Sequence, residues 1–413
     1  SVLETNQKNE LNIKPWYRGF NGTIDKITTN EEYQSIKASV VEEIEKNKIN
    51  LTFLIEETDK FIVEKINIFG NNVTKEEVIR NQFEVDEGDF YNEILQTKSI
   101  NNLKSLNFFR EVKSEVLKGS DEKSKVINIQ VEEKATGEIF AGAGFGTSGG
   151  TISAGVRENN FLGKGIALNS NFTINENSIK GLFGISNRNY NNTDKSIYAN
   201  IQSSDFDRLK NSGYKSSKTG FEVGTQFEYL DDLNLGLSTS SFYEKIETDS
   251  NASTRQQSQE GDYWDTFLKV HFNYDKRNQK FKTSDGFQSF YSINLPLISE
   301  NNTISNTYDY KYFTELYENN LSKFSIYLQS ANSITGDDIK LSERLKIPAS
   351  KLRGFEYGKV GPKEGDDYVG GNFVSSLNFS STVPKILENV QSADMLFLVD
   401  IANVWGVDYD SSL

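Results

Sequence analysis

The side chains that most often carry enzyme chemistry are scarce in this sequence. The chain of 413 residues has a single histidine, His271, and no cysteine. A zinc site of the Cys/His type, a thiolate nucleophile and a disulfide framework are therefore excluded. A Ser-His-Asp triad would have to use His271, but no GxSxG sequence accompanies it. We predict that the protein is not an enzyme and has no catalytic residue, no metal ligand and no cofactor.

Glycine-rich loops often bind phosphate groups, and the chain has two glycine-rich stretches, near residues 142–150 and 352–371. Neither matches the GxxxxGK[ST] loop, and neither places GxGxxG between a strand and a helix. The acidic and basic residues of "DKRNQKFKTSDG" (275–286) lack the spacing of a calcium loop. We expect this last segment to shape a turn between two strands.

The overall charge argues against a nucleic-acid partner. The chain has 45 basic and 59 acidic residues, so its formal charge is 45 − 59 = −14, and such a chain repels a polyanion. No apolar run approaches the roughly 18 residues of a membrane-spanning helix, and the best run is Met395–Val399. The chain opens on Ser1 without a signal peptide. Either the protein is not secreted, or the start of the sequence is missing.

The first third of the chain has the pattern of small α/β modules. Phe61–Phe69 alternates as a strand, Thr74 is predicted to cap a short helix through Arg80, and a second helix is expected over Asn92–Leu106. Two further alternating segments follow, which gives the order β-α-α-β-β. We place one complete module at residues 59–136. Residues 1–58 read as the end of a similar unit, with a strand at Ile49–Glu56.

After Gly137 the helical period disappears, and alternation of apolar and polar residues continues to the end. In the last such segment Asp400 and Ala402 share the face opposite Val399 and Ile401. The segments run about nine to twelve residues, and we count about thirteen of them. A soluble sandwich also alternates, but its strands average roughly five or six residues. Strands of about nine to eleven residues with many aromatic side chains favour a transmembrane β-barrel, with His271 on a polar, lumen-facing strand surface.

Several motifs carry a family resemblance, and they fall in order along nearly the whole chain. They are "FIVEKINIFGN", "VDEGDFYN" and "LKSLNFFREV" in the first part, then "TGEIFAGAGFGTSGGTISAGVRENNFLGKG", the segment Leu352–Asn372 and "FLVDIANVWG". The chain thereby resembles the BamA family of outer-membrane β-barrel assembly proteins. The resemblance implies α/β POTRA (polypeptide-transport-associated) modules at 1–58 and 59–136, followed by an antiparallel transmembrane β-barrel at 137–413.

Family barrels have sixteen strands, so about thirteen strands imply a chain that is cut at its C-terminus. By the same resemblance, the first POTRA domains and the signal peptide are expected to be absent. The expected location is the bacterial outer membrane, with the POTRA domains in the periplasm.

The resemblance also assigns a role to the segment "LRGFEYGKVGPKEGDDYVGGN" (352–372). In the family an Arg-Gly-Phe triplet, here Arg353, Gly354 and Phe355, folds back into the barrel, and its arginine pairs with a carboxylate that corresponds to Asp400. Phe355 is expected to pack against the inner wall. Asn378 stands where the family has a second carboxylate, which puts a two-carboxylate clamp in doubt. The alternative is that Arg353 is an ordinary loop arginine facing water.

The first barrel strand, expected over Glu138–Thr147, contains Gly142, Gly144 and Gly146. Glycine weakens strand pairing, so a seam at this strand would be weak and would accept a client strand by β-augmentation. The alternative is that the glycines only relieve crowding at the rim. The resemblance implies templated insertion of outer-membrane proteins without nucleotide hydrolysis. The implied partners are unfolded β-barrel clients, accessory lipoproteins and the lipid bilayer.

Two other functions stay open from the sequence. A two-partner secretion transporter would export one passenger protein through a similar pore preceded by POTRA domains. A barrel enzyme of the outer-membrane phospholipase kind would need His271 beside a serine and an orienting amide.

Overall fold

The computed structural model describes most of the chain. It gives the strands β1 (Val2–Glu4), β2 (Ile36–Glu45) and β3 (Lys48–Glu57), and then residues 60–146, 149–280, 282–300, 302–317, 320–383 and 395–409. Two compact units are present: Ser1–Thr136 with Asn159–Gly165, and Gly137–Glu158 with Ile166–Leu413. Within the described residues, no helix is long and apolar enough to cross a lipid bilayer.

Two three-stranded sheets lie in the first unit. The first has the order β1-β3-β2, and β3 confirms the strand predicted at Ile49–Glu56. The second module consists of β4 (Ile62–Phe69), α1 (Glu76–Arg80), α2 (Glu93–Ser105), β5 (Phe109–Lys118) and β6 (Ser124–Glu133). This is the predicted order β-α-α-β-β. The central strand β6 runs parallel to β4 and antiparallel to β5.

The core of this module follows from the alternation of its strands. Ile127, Ile129 and Val131 of β6 are each at most 2% exposed, and they pack with Ile79 and Leu103 from the two helices. A period of two places the three β6 side chains on one face of the sheet. The helices therefore cover a single apolar sheet face.

The two helix starts differ from each other in how they are capped. Asn92 caps α2, because its Oδ1 accepts hydrogen bonds from the backbone N–H of Ile94 and Leu95 at 2.9 and 3.2 Å. The predicted cap at Thr74 is wrong, since α1 begins at Glu76 and no side chain caps it. A distant carboxylate binds this backbone instead: Glu133 accepts from Thr74 N at 2.6 Å.

The second unit contains one large antiparallel sheet, which has thirteen strands in the described part of the chain. This confirms the predicted count and the antiparallel class. The strands are β7 (Gly137–Gly146), β8 (Gly149–Phe161), β9 (Ile166–Asn175), β10 (Ser178–Asn187), β11 (Ser196–Arg208), β12 (Tyr214–Leu230), β13 (Leu233–Thr248), β14 (Gly261–Asp275), β15 (Gly286–Ile298), β16 (Thr303–Thr314), β17 (Ser322–Ser333), β20 (Phe373–Thr382) and β21 (Leu396–Trp405).

Each strand of the sheet pairs with the next along the chain, except that β17 pairs with β20. The segment between them contains the short hairpin of β18 (Lys363–Glu364) and β19 (Asp367–Tyr368). Two one-turn helices, α3 (Leu209–Ser212) and α4 (Thr254–Gln257), also lie in connections. The predicted limit of twelve residues is wrong for the longest strand, β12, which has 17. About ten residues suffice to cross the hydrocarbon core, so the remainder of β12 extends beyond it.

The two faces of this sheet reverse the pattern of a soluble protein. In β20, Ser376 and Asn378 are 1% and 7% exposed, whereas Leu377 between them is 54% exposed. Polar side chains are thus buried and apolar side chains face outward. This is the alternation that a transmembrane barrel requires, because its outer surface contacts lipid and its interior is polar.

The segment "DKRNQKFKTSDG" forms the turn from β14 to β15, as predicted. Arg277 donates twice to Asp275, from Nε at 2.8 Å and from Nη2 at 2.7 Å. The backbone N–H of Asn278 donates to the carbonyl of Asp285 at 3.1 Å. The Asn278–Asp285 bond joins the two sides of the turn, and the Arg277–Asp275 pair orders its first side.

Candidate functional site: the glycine-rich loop and the edge strand

The connection from β17 to β20, residues 334–372, is called the glycine-rich loop below. Its backbone reverses direction at several glycines with positive φ, namely Gly336, Gly354, Gly358, Gly361, Gly365 and Gly370. A residue with a Cβ atom adopts this conformation only with strain. The glycines therefore allow the loop to fold back against β20 and β21, as expected from the sequence.

The structure brings Arg353 and Asp400 together. The guanidinium donates from Nε to Oδ2 at 2.7 Å and from Nη2 to Oδ1 at 2.6 Å, and the backbone N–H of Arg353 also donates to Oδ2, at 2.9 Å. The Asp400 side chain is 4% exposed and that of Arg353 is 32% exposed. The hydrogen bonds to Asp400 raise the pKa of Arg353, against the lowering effect of burial.

Asn378 completes the surroundings of the Asp400 carboxylate. Its Nδ2 donates to Oδ1 of Asp400 at 2.8 Å and to the carbonyl of Lys351 at 2.7 Å. Its own Oδ1 accepts from the hydroxyl of Ser376 at 3.0 Å. The position where the family has a second carboxylate therefore holds a hydrogen-bond donor, and a single carboxylate receives both the amide and the guanidinium.

The prediction that Phe355 packs against an inner wall is wrong. Its side chain is 57% exposed, and it directly follows Gly354, which has a φ of +84°. Leu352, on the other side of the triplet, is buried instead and packs in an apolar cluster with Val374 and Val404. The apolar anchor of this segment thus precedes the arginine.

The sequence analysis did not identify Arg353 as one of several basic residues in the glycine-rich loop that bind carboxylates. Five basic residues occur between 340 and 353 of this acidic chain: Lys340, Arg344, Lys346, Lys351 and Arg353. Four of them form ion pairs: Lys340 with Asp265, Arg344 with Asp408 at 3.3 Å, Lys351 with Asp309 at 2.8 Å, and Arg353 with Asp400. Such a basic cluster in a chain of net charge −14 was the available signal for a loop that binds carboxylates.

Lys340 makes the most buried of these contacts. Its side chain is 0% exposed, and it pairs with Asp265 and with Glu244 at 3.2 Å, which are 1% and 0% exposed. Glu244 also accepts from the hydroxyls of Ser216 and Ser342, at 2.5 and 3.0 Å. Burial alone would lower the pKa of Lys340, but the neighbouring carboxylates raise it above its ordinary value. The lysine is therefore held as a cation that fastens the loop to β13 and β14.

The three glycines of the predicted first strand lie in β7, at one end of the large sheet. Within the described residues β7 pairs with β8 alone. A Cβ atom built on Gly144 would meet nothing within 4 Å, and one on Gly142 would meet only the Ser153 hydroxyl, at 3.7 Å. Within the described residues, close packing therefore does not require glycine at 142 or 144. Gly146 pairs with Gly149 next to the turn, and residue 147 lies outside the described residues.

β21 lies at the other end of the sheet and pairs with β20. Its apolar side chains are at least 41% exposed at Leu396, Phe397, Leu398, Val399 and Ile401. Phe397, Val399 and Ile401 lie on the face opposite Asp400, whereas Leu396 and Leu398 share the Asp400 face. Exposed apolar side chains also occur on β7, at Ile139 (85% exposed) and Phe145 (96%).

His271 lies in β14, opposite Gly236 of β13 and Ser292 of β15. Its ring lies next to that of Phe290, with 5.9 Å between the centroids and an angle of 34° between the ring planes. Among the residues that the structure describes, no group of three or more His, Asp or Glu side chains is arranged to hold a metal ion.

Comparison with known proteins gives the family. A model described as the Omp85 superfamily domain matches residues 160–412, and a POTRA model, described as a surface antigen variable number repeat, matches residues 61–134. Two curated relatives are named outer membrane protein assembly factor BamA. That of Neorickettsia risticii is 24% identical over 87% of this chain and 49% of its own length, and that of Nitratidesulfovibrio vulgaris is 23% identical over 92% and 48%. The chain thus spans about half the length of these relatives.

Solved structures show the same fold. BamA from Haemophilus ducreyi lacking POTRA domains 1–3 is 21% identical, with a TM-score of 0.73 over 97% of this chain and 83% of that one. CdiB from Acinetobacter baumannii is 11% identical, with a TM-score of 0.53 over 98% and 80%. The resemblance to the BamA family is confirmed, and so is the fold of POTRA module and antiparallel barrel. The chain belongs to the Omp85 superfamily and is an outer-membrane protein whose POTRA domain lies in the periplasm.

Proposed function

We propose that the protein is an outer-membrane protein assembly factor that inserts and folds β-barrel clients by pairing their strands with β7. The observation that carries this proposal is the composition of β7, whose glycines Gly142, Gly144 and Gly146 weaken its pairing with a neighbouring strand. When such a strand separates from its neighbour, its edge offers a row of backbone N–H and C=O groups to an incoming strand. Main-chain hydrogen bonds replace those that the client would otherwise lack in lipid, so the mechanism needs no nucleotide hydrolysis.

Gly142, Gly144 and Gly146 suit β7 to this exchange. Glycine contributes no side chain to cross-strand pairs and loses more conformational freedom on ordering than other residues. A strand with three glycines therefore separates from a neighbour at lower cost than a Val-rich strand. The names of the relatives, which describe assembly of outer-membrane proteins, support the same activity.

The glycine-rich loop acts in this proposal as a structural lock. Arg353, followed by the turn at Gly354, binds Asp400 on β21, and Asn378 on β20 donates to the same carboxylate. The contact joins the loop to the end of the sheet opposite β7. A lock at this place keeps β20 and β21 in register while the other end of the sheet exchanges partners.

The proposed partners follow from two sheet edges, that of β7 in the large sheet and those of the POTRA sheet. Unfolded β-barrel clients pair with β7 in the bilayer, and accessory lipoproteins bind the POTRA module, in which β4 and β5 are the outer strands of the sheet. The net charge of −14 disfavours a nucleic acid. The domain boundaries stay predictions: the C-terminal part of one POTRA domain at 1–58, a complete one at 59–136 and the barrel at 137–413.

Reconstitution tests the function directly. The purified protein is placed in liposomes, a urea-denatured outer-membrane β-barrel protein is added without nucleotide, and its folded form is followed by semi-native electrophoresis. We expect the client to fold several-fold faster than in empty liposomes. Equal rates with and without the protein would refute the proposal.

The alternative is a two-partner secretion transporter that exports one passenger through a pore of the same fold. Such a protein would move a soluble passenger across the liposome membrane and leave the folding rate of barrel clients unchanged. The same liposomes therefore separate the two functions.

A further inference from the structure

Lys346 differs from the other four basic residues of the series in the glycine-rich loop. Its ammonium donates to the hydroxyl of Ser212 at 2.5 Å. No carboxylate among the described residues comes within ion-pair distance of it, whereas Lys340, Arg344, Lys351 and Arg353 each have one. Lys346 is 7% exposed. The structure thus contains a buried lysine for which the fold supplies a hydroxyl and no anion.

The charges nearest to Lys346 do not compensate it. Burial and, to a smaller extent, the positive charge of Arg208 lower the pKa of Lys346 to about 7, although the negative charge of Asp367 acts in the opposite direction. An ammonium in such a place is costly unless an anion accompanies it. Two positive groups side by side on the surface of one cavity are the arrangement that a doubly charged anion neutralises.

A cavity of about 660 Å³ lies at this pair. Lys346, Arg208, Lys180 and Ser212 line it, together with the aromatic side chain of Tyr357. Arg208 donates to the Tyr214 hydroxyl through Nη1 at 2.8 Å, and its guanidinium carbon lies 5.0 Å from the centre of the Phe206 ring. These contacts fix the guanidinium and occupy only part of its five donors.

Three acidic side chains, Glu176, Asp207 and Glu356, also line the cavity. Glu356 pairs with Lys359 at 2.9 Å, and Asp207 accepts the backbone N–H of Leu209 at 3.1 Å. The cavity therefore carries both basic and acidic side chains. An anionic group would bind at Lys346 and Arg208, and an amine of the same ligand would find carboxylates within the cavity.

We propose that this cavity is a binding site for a phosphate group, held between Lys346 and Arg208. Guanidinium binds phosphate oxygens in pairs, and ammonium adds a point charge. A phosphate carries enough charge to neutralise both residues, whereas a carboxylate would neutralise one. The cavity is larger than a phosphate ion, so the phosphate is part of a larger molecule, and lipid headgroups and soluble phosphate esters share this chemistry.

Calorimetric titration of the purified protein with sodium phosphate at pH 7, against sodium chloride of equal ionic strength, tests the site. We expect the wild type to bind phosphate, and Lys346→Gln and Arg208→Gln each to bind it at least tenfold more weakly. Lys346→Arg keeps the charge and should retain binding. Lys363→Gln, at an exposed lysine of the same loop, should bind like the wild type.

No phosphate binding by the wild type, or equal affinity in the wild type and Lys346→Gln, would overturn the proposal. If both glutamine variants fail to fold, the wild-type protein is used instead. The rate at which an amine-reactive reagent labels Lys346 is then measured with and without phosphate. Phosphate should then slow its labelling at least several-fold, and an unchanged labelling rate would overturn the proposal.

A second arm distinguishes the sources of the phosphate. The protein is placed in nanodiscs of phosphatidylcholine with or without one part in five of phosphatidic acid, and retained lipid is counted by native mass spectrometry. Retention of phosphatidic acid that Lys346→Gln loses identifies a lipid headgroup. Phosphate binding in solution without such retention identifies a soluble phosphate ester, and both results support the site.

Discussion

Asn378 and Asp400 lie directly opposite each other on β20 and β21, and Nδ2 of Asn378 donates to Oδ1 of Asp400 at 2.8 Å. Arg353 approaches the same carboxylate from the glycine-rich loop and donates to both of its oxygens. One buried carboxylate therefore receives an amide, a guanidinium and a backbone N–H. This one carboxylate compensates the charge of Arg353, so the contact does not require a second acidic residue at position 378.

Substitution of Arg353 is predicted to lower the free energy of unfolding more than substitution of Asp400. Arg353→Ala strands a carboxylate that is 4% exposed, so we expect a loss of about 3 kcal/mol of stability, near the range for a broken buried pair. Asp400→Asn leaves a guanidinium that already reaches water, and we expect a cost of about 1 kcal/mol. Urea unfolding of the two variants in detergent measures the difference.

The double variant Arg353→Ala, Asp400→Asn serves as the control for direct pairing. It should be no less stable than Arg353→Ala alone, because the stranded charge is gone. Wild-type stability in both single variants, or strictly additive losses in the double variant, would contradict the lock.

The sequence predicted the Arg353–Asp400 contact but not the difference between its partners. Alternation along β21 places Asp400 on the polar face, and the motifs around Arg353 carry the resemblance. Exposure of each partner depends on the path of the whole glycine-rich loop, which also leaves Phe355 exposed. The conformation of a glycine-rich segment is poorly specified by residue type, because glycine permits most backbone angles.

Lys340 is predicted to be a second essential attachment of the loop. Lys340→Met leaves Asp265 and Glu244 buried without their cation, so we expect a loss of roughly 3–5 kcal/mol. The matched control is Lys359→Met, which removes an exposed pair with Glu356 and should cost less than about 1 kcal/mol. Limited proteolysis of the loop reports the change, and equal cleavage of the two variants would contradict the assignment.

Glu133 is predicted to make the POTRA module acid-sensitive. Burial raises its pKa, but hydrogen bonds from the N–H groups of Thr74, Val73 and Asn72 outweigh this and lower it below the ordinary value. The unfolded pKa is about 4.3, so this stabilisation is complete above that pH and is lost as pH falls through the lower folded pKa. We expect Glu133→Gln to cost about 1–2 kcal/mol at pH 7 and nothing once the pH is below the folded pKa.

Thermal unfolding of residues 60–136, expressed alone, measures this pH dependence. We expect the segment to fold by itself, because its core residues come from its own strands and helices. A difference between Glu133→Gln and the wild type that stays constant from pH 7 to pH 2 would show that the carboxylate charge is unimportant.

The network around Glu133 could not be predicted from the sequence. Thr74 with Glu77 three residues on resembles a capping box, and local pattern rules assign the helix start to it. The N–H groups instead bind a carboxylate about sixty residues away in the chain, and no local rule reaches that far. The element order β-α-α-β-β of the module and the count of thirteen strands were predictable, because each element is recognised from the periodicity within its own segment.

Stiffening β7 is predicted to slow client assembly without unfolding the protein. Within the described residues, both Gly142 and Gly144 have room for a side chain, and valine favours strand pairing. We expect Gly142→Val, Gly144→Val to lower the rate of client folding in liposomes several-fold while heat stability is unchanged or higher. Gly181→Val, in β10 and with its nearest neighbour at 4.0 Å, is the control and should assemble clients at the wild-type rate. Equal rates in the two variants would contradict a role for the β7 glycines.

Site-specific crosslinking between β7 and a client strand tests the central claim most directly. The chain has no cysteine, so Gly144→Cys introduces a single thiol on β7, and Ser240→Cys places one on β13, which is paired on both sides. A client with one cysteine in a terminal strand is added during assembly in liposomes. The account predicts a disulfide-linked adduct with Gly144→Cys and none with Ser240→Cys. Clients that fold at the wild-type rate without crosslinking to Gly144→Cys, or that crosslink equally to both variants, would contradict it.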